Sequence, residues 1–372
     1  MRLIYLSPVP WSSFAQRPQK FVEWFHLRTG GEVLWVDPYP TRLPQLSDFK
    51  RPGKSKPGEA QEHYSWLQLA IPRALPIEPL PGIAQINRLW WGKLLDQLQG
   101  FAHAGNTLIV VGKPSHLALR VLAQLPGVPS VYDAMDEFPA FYRGLSRAAM
   151  MTCEKRLVDK VDSLWVTSTR LKQRWSNNKP NLQLVPNGLD QKLFSGAQRQ
   201  ERDVQGSRTF GYVGTIAAWF DWSWVIKLAE LRPNDQIRLI GPVFAPAQMP
   251  LPGNVQLLPP CNHEEAMKAL QAFDVGIIPF RENELTASVD PIKYYEYRAS
   301  GLPVLSTDFG EMKFRRSEPG TFISRSSEDI RSLAAQALSF NDDQALCKEF
   351  AVKNSWNTRF DGTNLLIQEA SV

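Results

Sequence analysis

A lysine and a carboxylate lie three residues apart in the stretch NELTASVDPIKYYEYRASGLPVLST, residues 283–307. In a helix, Lys293 and Glu296 would share one face. A lysine beside the free amides of a helix N-terminus can hold phosphate, because unsatisfied N–H groups and the helix dipole favour negative charge. A carboxylate one turn further on can accept hydrogen bonds from two neighbouring hydroxyls. Together these groups suit the diphosphate and ribose of a nucleotide, although an ordinary surface ion pair has the same spacing.

The same stretch predicts the helix that positions this pair. Asp290 is a favoured N-cap residue, and Pro291 suits the first helical position, where a missing N–H costs nothing. Gly301 stands where a helix ends most easily in the left-handed conformation, and Pro303 to Ser306 reads as a buried strand. We therefore expect a helix whose first turn carries Lys293.

Short apolar runs alternate with helical patterns along the whole chain, which indicates parallel sheets covered on both faces by helices. The predicted strands are Leu3 to Leu6, Val33 to Val36, Leu108 to Val111, Ser130 to Asp133, Leu164 to Thr167, Thr209 to Val213, Ile237 to Ile240, Val255 to Leu258, Asp274 to Pro279 and Pro303 to Ser306. A chain of 372 residues is too long for one ordinary core and suggests two domains. Ligands are expected in a cleft between them, at the carboxyl ends of the strands.

The stretch from Asn283 to Thr307 resembles the donor-site motif of GT-B glycosyltransferases. The likeness is to the branch that builds bacterial exopolysaccharide, teichuronic acid or O-antigen, through Asn-x-x-Thr, Pro-x-Lys-x-Tyr-Glu-Tyr and Ala-x-Gly-x-Pro-Val. The resemblance implies an α/β fold of two Rossmann-like, doubly wound domains facing a central cleft. It implies donor-binding roles for a set of residues in the second domain: Gly214, Thr215, Asn283, Thr286, Lys293, Tyr295 and Glu296.

The resemblance also sets the expected domain limits. Residues 1–188 would form an acceptor-binding domain that ends at the Pro-Asn-Gly turn of LQLVPNGLD, and residues 189–354 a donor-binding domain. Residues 355–372 resemble the family's terminal helix, which returns to the first domain. The polar segment from Asp48 to Tyr64 reads as a mobile loop of the kind that covers a site.

Two departures from the family pattern bear on mechanism. Relatives place an Arg after the glycine turn, where this chain has Trp219, so the cation for the phosphates is expected to be Lys293, with Arg281 in reserve. Retaining relatives carry a sugar-binding Glu that seven residues separate from the ribose-binding Glu; with Glu296 as the second, the first position falls on Ser288. The sequence therefore leaves open whether the anomeric configuration is retained or inverted.

Two carboxylates in SVYDAMDEFPAFY, Asp133 and Asp136, follow a predicted strand and are candidate catalytic residues. A general base must take the proton from the acceptor hydroxyl as its oxygen attacks the anomeric carbon. The stretch resembles inverting glucuronosyltransferases of xanthan-type synthesis, whose base matches Asp136. The alternative is that both carboxylates cap the following helix. GT-B enzymes generally work without a metal site, so the nucleotide sugar is the only expected co-substrate and no cofactor is predicted.

Acceptor contacts are expected from the first domain. Arg17 and Gln19 lie in the Gln-Arg-Pro-Gln opening of the first helix, a sequence typical of the same polysaccharide branch. His116, in GKPSH, follows a predicted strand and could reach the same cleft, although a lone histidine is more often a satisfied surface or core group.

The net charge and the hydropathy of the chain limit the classes of molecule that it is expected to bind. A net charge of +5 and a pI near 9 suit an anionic partner, but no nucleic-acid motif is present. No run of eighteen apolar residues is found. The segment from Ile83 to Phe101 carries an apolar stripe bordered by Arg88 and Lys93, which predicts either peripheral membrane contact or packing on the core. Three scattered cysteines argue against a disulfide framework and favour the cytoplasm, where such an enzyme could work at the inner face of the plasma membrane.

The resemblance therefore implies a metal-independent hexosyltransferase that moves a sugar from a nucleotide diphosphate sugar to a glycan or lipid-linked acceptor. Two alternatives remain: a non-catalytic nucleotide-sugar-binding protein, and an epimerase or hydrolase on the same fold. A dehydrogenase is disfavoured because the three-glycine dinucleotide fingerprint is missing after Leu6 and after Val213.

Overall fold

The computed structural model describes residues 1–13, 15–41, 64–75, 78, 82–194 and 206–366. The chain divides into two compact units, one comprising Met1–Val185 with Phe360–Val372 and the other Pro186–Arg359. Each unit is built on a parallel sheet flanked by helices, which confirms the predicted fold class. The predicted covering loop from Asp48 lies outside the described residues as far as residue 63.

The sheet of the first unit has the order β3-β2-β1-β4-β5-β6-β7. Its strands are β1 Arg2–Leu6, β2 Val33–Val36, β3 Leu67–Ala70, β4 Thr107–Val111, β5 Ser130–Ala134, β6 Ser163–Val166 and β7 Leu182–Leu184. The five inner strands, β2, β1, β4, β5 and β6, are buried and mainly apolar, as expected for strands covered on both faces, whereas the edge strands β3 and β7 are partly exposed. The strand order reverses between β1 and β4, so the carboxyl ends of these two strands border a natural ligand crevice.

The helices of the first unit are α1 Arg17–Thr29, α2 Ile83–Trp90, α3 Gly92–His103, α4 His116–Gln124, α5 Gly144–Lys160 and α6 Thr169–Trp175. We predicted one amphipathic segment from Ile83 to Phe101, and the structure instead has two helices. The chain breaks at Trp91, whose ring is buried and whose indole N–H donates to the carbonyl of Arg73 at 3.0 Å. Packing of that ring overrides the helical periodicity.

The second unit has a sheet of order β10-β9-β8-β11-β12-β13. The strands are β8 Thr209–Val213, β9 Gln236–Ile240, β10 Val255–Leu258, β11 Val275–Ile278, β12 Val304–Thr307 and β13 Thr321–Ser324. The helices are α7 Trp222–Leu231, α8 His263–Gln271, α9 Ile292–Ala299, α10 Ile330–Ser339, α11 Gln344–Lys353 and α12 Trp356–Asp361, the last of which ends in the first unit. The order reverses between β8 and β11, and α9 leads into β12.

The predicted N-cap of α9 is wrong by one residue. Pro291 is the N-cap, and the helix begins at Ile292. Asp290 does not cap because its buried carboxylate accepts hydrogen bonds from the amide of Asn187, at 2.7 Å, and from the hydroxyl of Tyr295, at 3.0 Å, and forms an ion pair with Arg315 at 2.5 Å. These partners fix the loop before α9.

The end of the described chain packs within the first unit. The ring of Phe360 is fully buried and lies edge-on to Phe21, with 5.2 Å between ring centroids. Nearby, Asp361 accepts a hydrogen bond from the indole of Trp24 at 2.8 Å. Among the helices that the structure describes, none combines the length and the apolar composition needed to cross a membrane.

Candidate functional site

The turn that follows β8 is built by two glycines in contact. Gly214 has φ 154°, and its amide donates to the carbonyl of Ile240 at 2.9 Å. A Cβ added to Gly241, which follows β9, would lie 2.1 Å from the carbonyl oxygen of Gly214. Only glycine at both positions allows this approach. The amide of Thr215 has no hydrogen-bond acceptor among the described residues, so it remains available to a ligand.

Lys293 lies over this turn. A Cβ placed on Gly214 would come within 3.2 Å of the lysine Cε and 2.9 Å of the Tyr212 hydroxyl. The lysine Nζ donates to Oε2 of Glu296 at 2.9 Å, and both side chains are partly exposed. The structure therefore brings together the glycine, the lysine and the glutamate that the sequence singled out, with the glycine after β8 and the other two on α9.

Unused hydrogen-bonding groups surround this pair. The amides of Ile292 and Lys293, at the start of α9, carry no hydrogen bond within the described ranges. The lysine ammonium has three N–H groups and gives one to Glu296, whose Oε1 is likewise unbonded in that part of the chain. Free amides and a cation can hold a phosphate group. An open carboxylate oxygen beside them can accept hydrogen bonds from a neighbouring pair of hydroxyls.

Asn283 and Thr286 form a closed local turn. The Asn283 amide donates to the Thr286 hydroxyl at 3.1 Å, and the Thr286 amide donates to Asn283 Oδ1 at 3.1 Å. Thr286 is buried, whereas Asn283 is exposed, and the turn does not use the side-chain NH₂ group of Asn283. Of these two predicted donor-binding residues, only Asn283 presents its side chain to solvent.

Two other residues of the motif face inward. Tyr295 is buried, and its hydroxyl accepts a hydrogen bond from Arg315 at 2.7 Å, so the structure does not place it with Lys293 and Glu296. Ser288, near the position of the sugar-binding glutamate of retaining relatives, is also buried, and its hydroxyl has no hydrogen-bond partner among the described residues. Neither side chain is open to a ligand.

In the first unit, the carboxylate of Asp133 forms an ion pair with Arg17. The arginine donates from Nε to Oδ2 at 2.8 Å and from Nη2 to Oδ1 at 2.9 Å, and both side chains are almost completely buried. Such a two-pronged pair holds α1 against β5. We predicted that the Arg17 guanidinium could face an acceptor, and the structure instead turns it toward the interior.

Asp136, two residues beyond β5, differs from Asp133. The residue is half-buried, and its carboxyl forms neither a hydrogen bond nor an ion pair within the described residues. Burial raises the pKa of the Asp136 carboxyl to about 6; the charge of Arg17 opposes the rise, and the charge of Asp133 adds to it. A carboxylate with unused oxygens and a pKa near neutrality has the properties of a general base.

The other two predicted acceptor residues have different surroundings. Gln19 is buried, and its amide donates to Ser13 Oγ at 3.1 Å while its oxygen accepts from the Gln16 amide at 3.0 Å, so it organises the start of α1. His116 begins α4 and is partly exposed. Burial and the nearby charge of Arg156 lower the pKa of the His116 imidazole.

Sequence reasoning missed a pocket in the first unit, at the carboxyl ends of β1, β2 and β4. Its polar lining comprises Ser7, Asp37, Tyr39, Thr41, Lys113 and Ser115. Ser7, Asp37 and the pair Gly112–Lys113 directly follow three of the predicted strands. Their shared position at strand ends could have indicated the pocket from the sequence. The pocket lies at the reversal of strand order, where open parallel sheets bind ligands.

We expect Gly214→Ala to weaken binding of uridine diphosphate about tenfold or more, because the added methyl group displaces Lys293 and strains the backbone. Titration calorimetry measures this change. Gly253→Ala is the matched control, since a Cβ at that loop position in the same unit meets no atom within 4 Å. Equal affinity of the two variants would contradict a ligand role for the turn.

No family model matches the chain. TuaH of Bacillus subtilis (strain 168), whose name assigns it to teichuronic acid biosynthesis as a glycosyltransferase, is 25% identical over 199 residues, covering 48% of this chain and 50% of that protein. The chain thus matches about half the length of this curated relative.

Solved structures resemble the chain over its whole length. Sucrose-phosphate synthase from Thermosynechococcus elongatus has a TM-score of 0.68 at 15% identity, covering 100% of this chain and 99% of that chain. HepE from Anabaena in complex with UDP-glucose has a TM-score of 0.66 at 13% identity, with full coverage of both chains. The galactosyltransferase WaaB has a TM-score of 0.65 at 9% identity, covering 99% and 100%. The chain therefore has the GT-B fold, and the relatives it resembles in sequence and in structure are glycosyltransferases.

Proposed function

We propose that this chain is a glycosyltransferase that moves a sugar from a nucleoside diphosphate sugar to a glycan or lipid-linked acceptor in polysaccharide synthesis. The observation that carries the proposal is the grouping of Lys293, Glu296 and the Gly214 turn beside free amides in the second unit. The names of the relatives support the same class of donor, since HepE was solved with UDP-glucose and TuaH is named for polymer synthesis.

In the proposed donor complex, the diphosphate lies on the amides of Thr215, Ile292 and Lys293, with the lysine ammonium against its oxygens. Glu296 accepts hydrogen bonds from the ribose hydroxyls. As the bond from the anomeric carbon to the diphosphate oxygen breaks, negative charge grows on the leaving group. The cation and the amides stabilise that charge without rearrangement, which is the main means by which such a site accelerates the reaction.

Asp136 supplies the proposed base in the first unit. It takes the proton from the acceptor hydroxyl while that oxygen forms its bond to the anomeric carbon on the side opposite the diphosphate. This displacement inverts the anomeric configuration. Ser288 stands where retaining relatives hold the donor sugar with a carboxylate, and the absence of a carboxylate at that position supports inversion. Independence from metals and transfer of a hexose remain predictions.

The activity is tested by incubating the protein with UDP-, GDP- and dTDP-sugars and with lipid-linked oligosaccharide acceptors. We expect one donor to release nucleoside diphosphate in step with formation of a glycosylated product whose anomeric configuration is inverted. Binding of a nucleotide sugar without turnover, with every acceptor, would instead indicate a non-catalytic binding protein. Release of free sugar that acceptors never accelerate would indicate a hydrolase.

We also propose peripheral contact with a membrane through α2, at the inner face of the plasma membrane. Leu89 and Trp90 are 80% and 50% exposed, and Arg88 and Lys93 border them. Within the predicted segment, the apolar residues of α3 instead pack on the core, so the proposed membrane surface is limited to α2. Exposed tryptophan and leucine with basic neighbours favour an anionic lipid interface.

Replacing both Leu89 and Trp90 with serine is expected to weaken binding to vesicles that contain anionic lipid by about tenfold or more, because two large apolar groups no longer enter the interface. Vesicle sedimentation measures the bound fraction. Leu27→Ser is the control, since Leu27 is 65% exposed on α1. Unchanged binding of the double variant would rule out α2 as the membrane surface.

A further inference from the structure

We propose that Thr167 and Arg174 are positioning residues that hold the loop of residues 135–137, and with it the Asp136 carboxylate, in place for proton transfer. This inference rests on the proposed function, because it concerns the base of the same reaction. Neither residue belongs to a motif found in the sequence. Both follow β6, the strand next to β5 in the sheet.

Asp136 has no side-chain partner of its own among the described residues, so its position must come from its neighbours. The amide of Phe138 donates to the Asp136 carbonyl at 2.9 Å, which closes a tight turn around it. Because the carboxylate has no partner of its own in the described part of the chain, its position depends on how the residues before and after it are held. The anchors are therefore expected on the residues at either side.

Thr167 anchors the residue before Asp136. Its hydroxyl donates to the carbonyl oxygen of Met135 at 2.7 Å, and the threonine is completely buried. Since the amide and carbonyl of a strand residue are normally used by the sheet, a carbonyl beyond the end of β5 needs such a substitute partner. The bond fixes where the chain leaves the sheet.

Arg174 anchors the residue after Asp136. Its guanidinium forms an ion pair with Glu137 and a second one with Glu154, at 2.7 Å from Nη2 to Oε2. Glu154 is completely buried on α5 and accepts a further hydrogen bond from the Tyr132 hydroxyl at 2.9 Å. Arg174 thus ties the loop to a buried, hydrogen-bonded carboxylate on a long helix.

The planar guanidinium is required for this arrangement. It bridges two carboxylates in different directions and lies 4.6 Å from the ring centroid of Trp175. A lysine carries one compact ammonium group and reproduces neither the bridge nor the ring contact. Without Arg174, Glu137 swings into water, the turn loosens and water reaches Asp136, so the pKa of Asp136 falls from about 6 toward its usual value.

The test compares Arg174→Lys and Thr167→Val with the native protein. We expect Arg174→Lys to lower kcat roughly 10- to 100-fold, the effect of misplacing a catalytic group by about 1 Å, with the KM for the donor unchanged. In a plot of kcat against pH, the midpoint of the acid limb should lie at a lower pH than in the native protein. Thr167→Val, which keeps the shape of the side chain, is expected to lower kcat about tenfold. Arg232→Lys is the control, since Arg232 has a similar exposure and pairs with Asp235 in the second unit.

A second readout needs no activity. In Arg174→Lys, amide hydrogen exchange at residues 135–138 should accelerate, and in the control it should not. Glu137→Ala should give the same loss of kcat, and the double variant no more than either single variant, because both break one bridge. Native kcat and native exchange in Arg174→Lys would overturn the positioning role. If the native protein transfers no sugar while the exchange result holds, the proposed function fails and the loop anchor stands.

Discussion

Asp136→Asn is expected to lower sugar transfer by roughly 10²- to 10⁴-fold, the usual contribution of a general base, while making the folded protein more stable above neutral pH. The amide cannot accept the hydroxyl proton, so the rate falls. In the native protein, burial raises the pKa of this carboxyl from 3.8 to about 6. At higher pH the folded state must hold a charge that the unfolded state solvates better, and the asparagine variant avoids that cost.

The raised pKa of Asp136 makes the stability of the native protein fall as the pH rises. The unfolded carboxyl loses its proton near its usual pKa and the folded one near 6, so native stability declines between these values and is constant above them. The gain from Asp136→Asn should therefore grow between about pH 4 and about pH 6 and be constant above, so that it is larger at pH 8, at most roughly 3 kcal/mol, than at pH 4.5. Urea unfolding at the two pH values measures it, and transfer assays give the rate.

Asp159→Asn is the control for this pair of measurements, since Asp159 is an exposed carboxylate on α5 in the same unit. It should change neither the rate nor the pH dependence of stability. Near-native transfer by Asp136→Asn would remove Asp136 from the mechanism. A stability gain without loss of rate would show a buried carboxyl with no catalytic role.

The second large effect concerns the donor. Glu296→Ala is expected to weaken UDP binding about 10- to 100-fold, because the ribose loses a charged hydrogen-bond acceptor. Affinity for inorganic pyrophosphate should stay the same or rise, since Lys293 is released from its ion pair. Lys293→Met should weaken both ligands. The two variants thus separate the ribose contact from the phosphate contact.

Titration calorimetry with UDP and with pyrophosphate gives all four affinities. Glu264→Ala and Lys268→Met are matched controls, because this exposed pair on α8 has a similar ion-pair distance, 2.7 Å, and no proposed ligand. Both controls should bind like the native protein. Parallel losses for UDP and pyrophosphate in Glu296→Ala would contradict a ribose contact and point to loss of the local fold.

Local patterns predicted the parts of this molecule that short-range geometry determines. Apolar runs located the strands because parallel strands are buried on both faces. Asn262 and Glu265 form a capping box at the start of α8, with 2.9 Å from the Glu265 amide to Asn262 Oδ1, and both residues lie within one turn. The Lys293–Glu296 pair follows from helical spacing alone. Each of these features involves residues within one turn or one strand.

Long-range partners decided the features that the sequence could not predict. Arg17 seemed free at the start of a helix, yet its partner Asp133 lies 116 residues away. Asp290 had the residue type of an N-cap, but Asn187 and Arg315 take its carboxylate. No local pattern reports such competition. The anchors of Asp136 belong to the same class, since Arg174 reaches Glu137 across 37 positions.

The central claim is that a nucleotide binds the second unit against the start of α9, and a crystal structure with UDP soaked in tests it most directly. We predict that the diphosphate lies within hydrogen-bond distance of the Thr215 amide and of Lys293 Nζ, with both ribose hydroxyls on Glu296. UDP bound at any other place, with Lys293 and Glu296 still paired and untouched, would contradict the account.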